Sequence, residues 1–192
     1  MKNIIVFASG SGSNAENIIR FFDKTPNVKV SWLLSNNPEA YALKRAEMLN
    51  ISTMVFDRTA FRDSDQVLNF LIRCQPDLIV LAGFLWLVPE KIVKAFPNRI
   101  VNIHPALLPK YGGKGMYGDK VHQAVIANQE KESGITIHYV DEHYDEGNII
   151  FQATCKITSE DTPDSLAEKI HALEHEHFPK VIESLLDLTL NT

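Results

Sequence analysis

The feature that most constrains the fold is the alternation of short apolar runs with helical patterns over the first hundred residues. A short, continuous apolar run bounded by turn residues is typical of a strand that is covered on both faces of a parallel sheet. The predicted strands are 3–8, 28–35, 53–56, 78–82 and 99–102, and the predicted helices between them are 15–23, 41–49, 67–74 and 89–95. This alternation predicts an α/β fold with a doubly wound, mostly parallel sheet.

The pattern changes in the last third of the chain. A helix is predicted over 121–127, followed by two successive strands, 135–140 and 149–157, which an acidic loop joins. Strands that follow one another through a loop predict an antiparallel extension of the sheet. A long helical pattern starts at Asp164 and contains Pro179, which could kink the helix. No linker or repeat divides the sequence, so we predict a single domain over 1–192.

Composition narrows the classes of function. The chain has 192 residues and a net charge of −5, which argues against nucleic acid as its main partner. The first apolar run is too short to span a membrane, and it leads into a glycine-serine turn and not into a cleavage site. Cys74 and Cys155 are the two cysteines. Two lone cysteines without a signal peptide are typical of free thiols in a reducing cytoplasm, so we expect a cytoplasmic protein.

A candidate catalytic pair follows the fifth predicted strand, in the segment Asn102-Ile103-His104-Pro105. Strand side chains alternate between faces, so Asn102 and His104 point to the same side if the strand continues through them. Pro105 cannot donate a ladder hydrogen bond, and the strand should end there. An amide donor beside a titratable ring is what an acyl-transfer site needs, although a polar cap on a strand end has the same residues.

A glycine turn, Gly10-Ser11-Gly12-Ser13-Asn14, joins the first strand to the first helix. Free N–H groups at a helix start attract an anion, and glycine allows the tight turn. The spacing also matches a dinucleotide fingerprint, but the second strand ends in Ser35-Asn36-Asn37, without the acid that a ribose hydroxyl would need. The turn therefore favours a single phosphate, and an ordinary serine-capped turn remains the alternative.

Two further groups carry titratable side chains. The loop 141–147 has four carboxylates and is either an acidic surface loop or a partner for His104, whose pKa a facing carboxylate would raise. His138 precedes this loop and could help to order it. His171 and His175 fit the zinc pattern H-x-x-E-H with Glu174. A third ligand would have to come from Glu183 or Asp187 downstream, which favours a polar helix face over a metal site.

Four segments together carry a resemblance to a known family: Ser9 to Asn14, Leu81-Ala82-Gly83-Phe84, Asn102 to Pro109, and the loop around Asp145. They resemble the glycinamide ribonucleotide transformylases over nearly the whole chain. The N-I-H-P segment occurs in the wider formyltransferase family, whereas the S-G-x-G-S-N turn is similar to that of the ribonucleotide enzymes. The resemblance implies transfer of a formyl group from 10-formyltetrahydrofolate to the amine of glycinamide ribonucleotide in purine (IMP) biosynthesis, through a tetrahedral intermediate and without a metal.

The resemblance also implies roles for individual residues. Asn102 donates to the oxyanion, His104 supplies a proton, and Asp145 raises the pKa of His104. The ribonucleotide is implied to bind Gly12, Ser13, Asn14, His171 and Glu174. The folate is implied to bind Leu85, Trp86, Leu87, Val88, Asn102, Val140 and Asp141. On this view residues 1–100 form the phosphate-binding half of the domain, and 101–192 form the folate-binding and catalytic half.

Three features depart from the family pattern. Many members have arginine where this chain has Trp86, a glycine is common at Glu146, and the glycine-rich segment Gly112 to Gly118 is unusual. Arg58 and Arg62 are both candidates for the folate tail. The alternatives left open are a formyltetrahydrofolate hydrolase, a formyltransferase with another acceptor, and a non-catalytic nucleotide-binding domain. The sequence allows a monomer or a homodimer.

Overall fold

The predicted alternation of strands and helices is confirmed by the computed structural model, which describes residues 1–188. Its strands are β1 (Lys2–Phe7), β2 (Val28–Ser35), β3 (Ser52–Val55), β4 (Leu78–Leu81), β5 (Ile100–His104), β6 (Glu132–Tyr139) and β7 (Ile149–Lys156). Its α-helices are α1 (Ser13–Phe22), α2 (Tyr41–Met48), α3 (Gln66–Cys74), α4 (Glu90–Ala95), α5 (Asp119–Ala127) and α6 (Pro163–Leu188). A π-helical turn at Thr59–Asp63 was not predicted.

The strands form one sheet in the order β3-β2-β1-β4-β5-β6-β7. The first five strands are parallel, and β6 and β7 add an antiparallel extension, as predicted. The fifth strand runs two residues further than expected, so that both Asn102 and His104 belong to it, and it ends directly before Pro105. The last helix is long, as predicted, and continues through Pro179.

The hydrophobic core lies on both faces of the sheet because alternate side chains of each central strand point in opposite directions. On β1, Ile4 and Val6 pack with α1 and α6, whereas Ile5 and Phe7 pack with α3 and α4. All four residues of β4 are buried. Within residues 1–188, no helix has the length and apolar character needed to cross a membrane.

An aromatic cluster closes one end of the second core layer. It comprises Phe7, Phe56, Phe61, Phe84 and Trp86, whose paired ring centroids lie 4.9 to 6.5 Å apart. Such pairs contribute about 0.5–1.5 kcal/mol each beyond the area that they bury. The cluster supports the chain that leaves β4, which forms one wall of the cavity described next.

Candidate active site

A cavity of about 740 Å³ opens at the carboxyl ends of the parallel strands β1, β4 and β5. This is the edge of an open α/β sheet at which ligands usually bind. The glycine turn after β1 and the segment after β4 line it, together with Asn102 and His104 at the end of β5. The alternation of strand side chains therefore brings the predicted amide and imidazole to one cavity wall.

Asp145 lies at the centre of the polar contacts in this cavity. Its Oδ2 is 3.5 Å from Nδ1 of His104, and its Oδ1 is 3.5 Å from Nδ2 of Asn102. The backbone N–H of Gly113 donates to Asp145 Oδ2 at 2.9 Å. Burial alone would raise the pKa of Asp145, but the His138 and His104 side chains and the Gly113 N–H together lower it below its usual range. The carboxylate therefore stays ionised at neutral pH.

His104 is almost fully buried, at 3% exposure, and both of its ring nitrogens have neighbours. Its Nε2 lies 2.7 Å from the carbonyl oxygen of Tyr111 and must donate there, since a carbonyl only accepts. Burial lowers the pKa of His104, and the opposing effects of Asp145 and the Tyr111 carbonyl do not outweigh it. The prediction that Asp145 raises this pKa is thus correct for the local interaction and wrong for the net shift, because desolvation of the ring dominates.

His138, which the sequence suggested could help to order the Asp145 loop, is a member of this site. It faces Asn102 across the β5–β6 ladder. Its Nδ1 donates to the carbonyl of Tyr139 at 2.8 Å, so in the neutral ring Nε2 accepts from Asn102 Nδ2 at 3.1 Å. The same Nε2 lies 3.5 Å from Asp145 Oδ1. His138 therefore orients the amide of Asn102, whose Nδ2 also lies 3.5 Å from Asp145 Oδ1.

The glycine turn presents backbone amides to the other end of the cavity. Gly12 is the N-cap of α1 and has a left-handed backbone with φ of 75° and no side chain to cap the helix. Within residues 1–188, the N–H groups of Gly12, Ser13, Asn14 and Ala15 have no hydrogen-bond acceptor, and the first intrahelical bond is from Glu16 to Gly12. Unpaired amides at a helix start form a binding site for an anion.

Glu174 links α6 to this turn. Its Oε2 accepts from Asn14 Nδ2 at 2.8 Å, and burial raises its pKa against the opposing effects of Asn14 and His171. The Oδ1 of Asn14 is buried without a partner, and His171 also lines the cavity. Glu174 thus faces the glycine turn. In the part of the chain that the structure describes, no cluster of three or more side chains is arranged to hold a metal ion.

Comparison with known proteins assigns the fold that carries this cavity. A family model described as formyl transferase matches residues 2–182. This chain belongs to the formyl transferase family. The match covers the glycine turn, the Asn102 to His104 strand and the Asp145 loop, which are the three parts of the cavity described above.

Named relatives and solved structures agree with this family. A chloroplastic phosphoribosylglycinamide formyltransferase of Arabidopsis thaliana is 38% identical, over 97% of this chain and 66% of its own length. The phosphoribosylglycinamide formyltransferase of Bacillus subtilis strain 168 is 37% identical, over 98% and 96%. The crystal structure of the protein of that name from Anaplasma phagocytophilum has a TM-score of 0.87 at 35% identity, over 97% and 87%. This formyl transferase thus spans about two thirds of the plant protein and nearly all of the bacterial ones.

The predicted folate-binding residues of this formyl transferase are only partly brought together. Leu85 lines the main cavity, and Leu87 and Val88 line a second one of about 430 Å³. Trp86 instead packs in the aromatic cluster, with the Arg58 guanidinium stacked on its ring at 5.4 Å. Val140 donates to the Ile100 carbonyl, Asp141 accepts from the N–H of His143, and neither residue lines either of these two cavities.

The glycine-rich segment Gly113 to Gly118, which the sequence marked as unusual, lines the main cavity. His122 and Tyr144 also line it, and neither was predicted as a site residue. The hydroxyl of Tyr144 accepts from the Leu87 N–H at 3.1 Å, which joins the Asp145 loop to the second cavity. The glycines of this segment indicate a loop in the sequence. His122 lies on α5, and no local pattern distinguishes it from a core residue.

Replacing Gly12 with alanine is expected to reduce stability by about 1–3 kcal/mol. A Cβ at Gly12 would lie 2.5 Å from Cα of Ala42, and the positive φ adds strain for any residue with a side chain. Urea unfolding measures the change. Gly10→Ala is the matched control for stability, because a Cβ there meets nothing within 4 Å. Equal stability of the two variants would contradict the close approach of the turn to α2.

Stability is expected to fall as the pH is lowered from 7.5 to 5.5. Burial lowers the pKa of His104, His122 and His175, so the unfolded chain binds more protons below about pH 6.5. Above that pH the rings are neutral in both states and do not reduce the free energy of unfolding. As the pH falls below it, the unfolded state gains more protons and the free energy of unfolding decreases. The raised pKa of Glu174 has the opposite effect on the free energy of unfolding, because the folded state binds this proton more readily than the unfolded state does.

The contribution of His122 can be isolated. It is 3% exposed, its Nδ1 has no hydrogen-bond partner, and the charges that act on its pKa are His171, Asp119 and His104. In His122→Gln the free energy of unfolding, measured in urea, should decrease less between pH 7.5 and 5.5 than in the unaltered protein. An unchanged pH dependence would show that the His122 ring titrates normally in the folded state.

Proposed function

We propose that this protein transfers the formyl group of 10-formyltetrahydrofolate to the amine of glycinamide ribonucleotide, a step of de novo purine (IMP) biosynthesis. The observation that carries the proposal is the shared cavity: the free amides that begin α1 and the Asn102, His104 and Asp145 side chains line the same space. An acceptor that carries both a phosphate and an amine fits such a cavity, since one end is held while the other reacts.

The ribonucleotide would be anchored by its phosphate on the amides of Gly12, Ser13 and Asn14. Glu174 and His171 line the same cavity, with Glu174 bonded to Asn14 of the turn, and would contact the ribose and glycinamide groups. The buried, unpartnered Oδ1 of Asn14 adds an acceptor for a hydroxyl or amine proton. Holding the amine close to the formyl carbon supplies the proximity on which a two-substrate reaction depends.

The folate would lie between the main cavity and the second cavity. Leu85, Leu87 and Val88 form the wall along this path. Trp86 and Val140 pack in the core cluster that contains Val88, and neither they nor Asp141 line the two cavities. The acidic pair Glu90 and Glu142 and the cation Arg62 surround the second cavity, where the distal part of the folate would end.

In the reaction the amine attacks the formyl carbon, and the formyl oxygen becomes an oxyanion. Asn102 donates to this oxyanion, an interaction worth about 3 kcal/mol for one well-placed donor. His138 holds the Asn102 amide in place before the substrate arrives, so little reorganisation is needed.

Proton transfer completes the reaction. The low pKa of His104 keeps its ring neutral in the empty cavity, and the developing oxyanion increases the proton affinity of the ring in the transition state. The proton that the attacking amine loses passes through a water held by Asp145 to Nδ1 of His104, and Asp145 stabilises the imidazolium that forms. The tetrahedral intermediate then collapses, and the folate nitrogen leaves with a proton from His104. Acid–base assistance of this kind contributes about 100- to 10,000-fold.

The remaining predictions are retained as part of this proposal. Residues 1–192 act as a single domain, with the phosphate turn in 1–100 and the catalytic residues in 101–192. The reaction needs no metal and no nucleic-acid or membrane partner, and it takes place in the cytoplasm with the protein as a monomer or a homodimer.

Absorbance-monitored turnover of a 10-formyl folate, with and without glycinamide ribonucleotide, tests the proposed function. We expect turnover only when the ribonucleotide is present. Turnover without it would identify a hydrolase that uses the same three side chains. No turnover in either case would mean that the acceptor is a different molecule, and the substrate assignment would be wrong.

A further inference from the structure

The side chain of Arg45 on α2 contacts the glycine turn from outside the cavity. Its Nε donates to the carbonyl oxygen of Ser11 at 2.9 Å, and Nη1 pairs with Glu16 in the first turn of α1. The guanidinium also lies 4.9 Å from the centre of the Tyr41 ring. Arg45 does not line the cavity, so it cannot act by touching a ligand there.

The contact with Ser11 determines the direction of an amide in the turn. The Ser11 carbonyl and the Gly12 N–H belong to one planar peptide group, and in a trans peptide they point in opposite directions. Holding the carbonyl toward Arg45 therefore holds the Gly12 N–H away from Arg45. That N–H, followed by those of Ser13 and Asn14, has no acceptor within residues 1–188. Gly12 itself is left-handed, which lets successive N–H groups converge on one point.

The planar fork of arginine is what this position requires. One guanidinium bonds simultaneously to a backbone carbonyl and to a carboxylate, and lysine cannot reproduce that geometry. Hydrogen bonds to Arg20 and Arg45 keep the pKa of Glu16 below its usual range, so the carboxylate end of the contact is ionised. Arg20 also binds Glu16, at 2.8 Å, but makes no contact with the turn.

We propose that Arg45 is a positioning residue for the anion site: it fixes the Ser11–Gly12 peptide so that the amides of Gly12, Ser13 and Asn14 converge on the phosphate of the acceptor. This inference rests on the proposed function for the identity of the acceptor. It adds that the phosphate site depends on a side chain that lies outside the cavity, on the neighbouring helix α2.

The test compares Arg45→Met with Arg20→Met, because both lose an arginine and a bond to Glu16 and only the first loses the contact with Ser11. For Arg45→Met we expect the KM for glycinamide ribonucleotide to rise about tenfold, with kcat within about twofold and the KM for 10-formyltetrahydrofolate unchanged. Arg20→Met should leave all three constants unchanged. Arg45→Lys should show most of the same rise in KM, since lysine restores the positive charge but not the planar guanidinium.

Binding of inorganic phosphate, measured by calorimetry, separates this inference from the proposed function. The Kd for phosphate should rise in Arg45→Met by about the same factor as the KM, whether or not the ribonucleotide proves to be the acceptor. An unchanged Kd, an equal effect of Arg20→Met, or full recovery in Arg45→Lys would overturn the inference. If Arg45→Met does not fold, as judged by its thermal transition, Arg45→Lys and Arg20→Lys carry the same comparison.

Discussion

Replacing Asn102 with alanine is expected to lower kcat about 100- to 1,000-fold, with little change in the KM for either substrate. The variant removes the donor that His138 holds in place, so the oxyanion of the tetrahedral intermediate loses its main hydrogen bond. Because the oxyanion exists only after attack, the loss affects the transition state and not the bound substrates. Steady-state kinetics with both substrates varied measure the effect.

The matched control is Asn17→Ala. Asn17 lies on α1, and its amide donates to the carbonyl of His175 at 2.9 Å in an exposed position outside the cavity. The same substitution there should leave kcat unchanged. A fall in kcat of less than about tenfold in Asn102→Ala would contradict the assignment of Asn102 as the oxyanion donor.

Replacing Asp145 with asparagine is expected to lower kcat about 100- to 10,000-fold. The side chain keeps its shape, but the charge that faces His104 and His138 is lost, and with it the group that stabilises the imidazolium. Asp145 raises the pKa of His104 against the effect of burial. In the variant the ring should therefore titrate at a still lower pH, which NMR of the His104 ring measures directly.

Glu146→Gln is the control for this variant, since it removes one negative charge from the next residue of the same loop, where the side chain is exposed. Its kcat and the titration of His104 should remain as in the unaltered protein. If the His104 titration were the same in Asp145→Asn as in the control, the two side chains would not be electrostatically coupled, and the proposed proton transfer would fail.

The sequence was sufficient for the parts of the site that depend on local periodicity. Strand alternation predicted that Asn102 and His104 share a face, and Pro105 marked the end of the strand. The succession of strand, glycine turn and helix predicted the free amides at the start of α1. The contact between Asp145 and His104 came from the family resemblance, because no spacing in the sequence brings together residues 41 positions apart.

The features that were missed depend on tertiary structure. The role of His138 follows from the register between β5 and β6, which sequence patterns do not determine. Trp86 was expected at the folate wall, but its large ring is buried more favourably among Phe56, Phe61 and Phe84. The net pKa shift of His104 depends on how completely the ring is removed from water, and that is a property of the packed structure.

The central claim is that the formyl group passes directly from the folate to an amine held beside Asn102, His104 and Asp145. Folate labelled with ¹³C at its formyl carbon, followed by NMR in the presence of glycinamide ribonucleotide, tests this most directly. The account predicts that the label appears as the formamide of the ribonucleotide, in equal amount to the tetrahydrofolate released. Label that appears as free formate would contradict it.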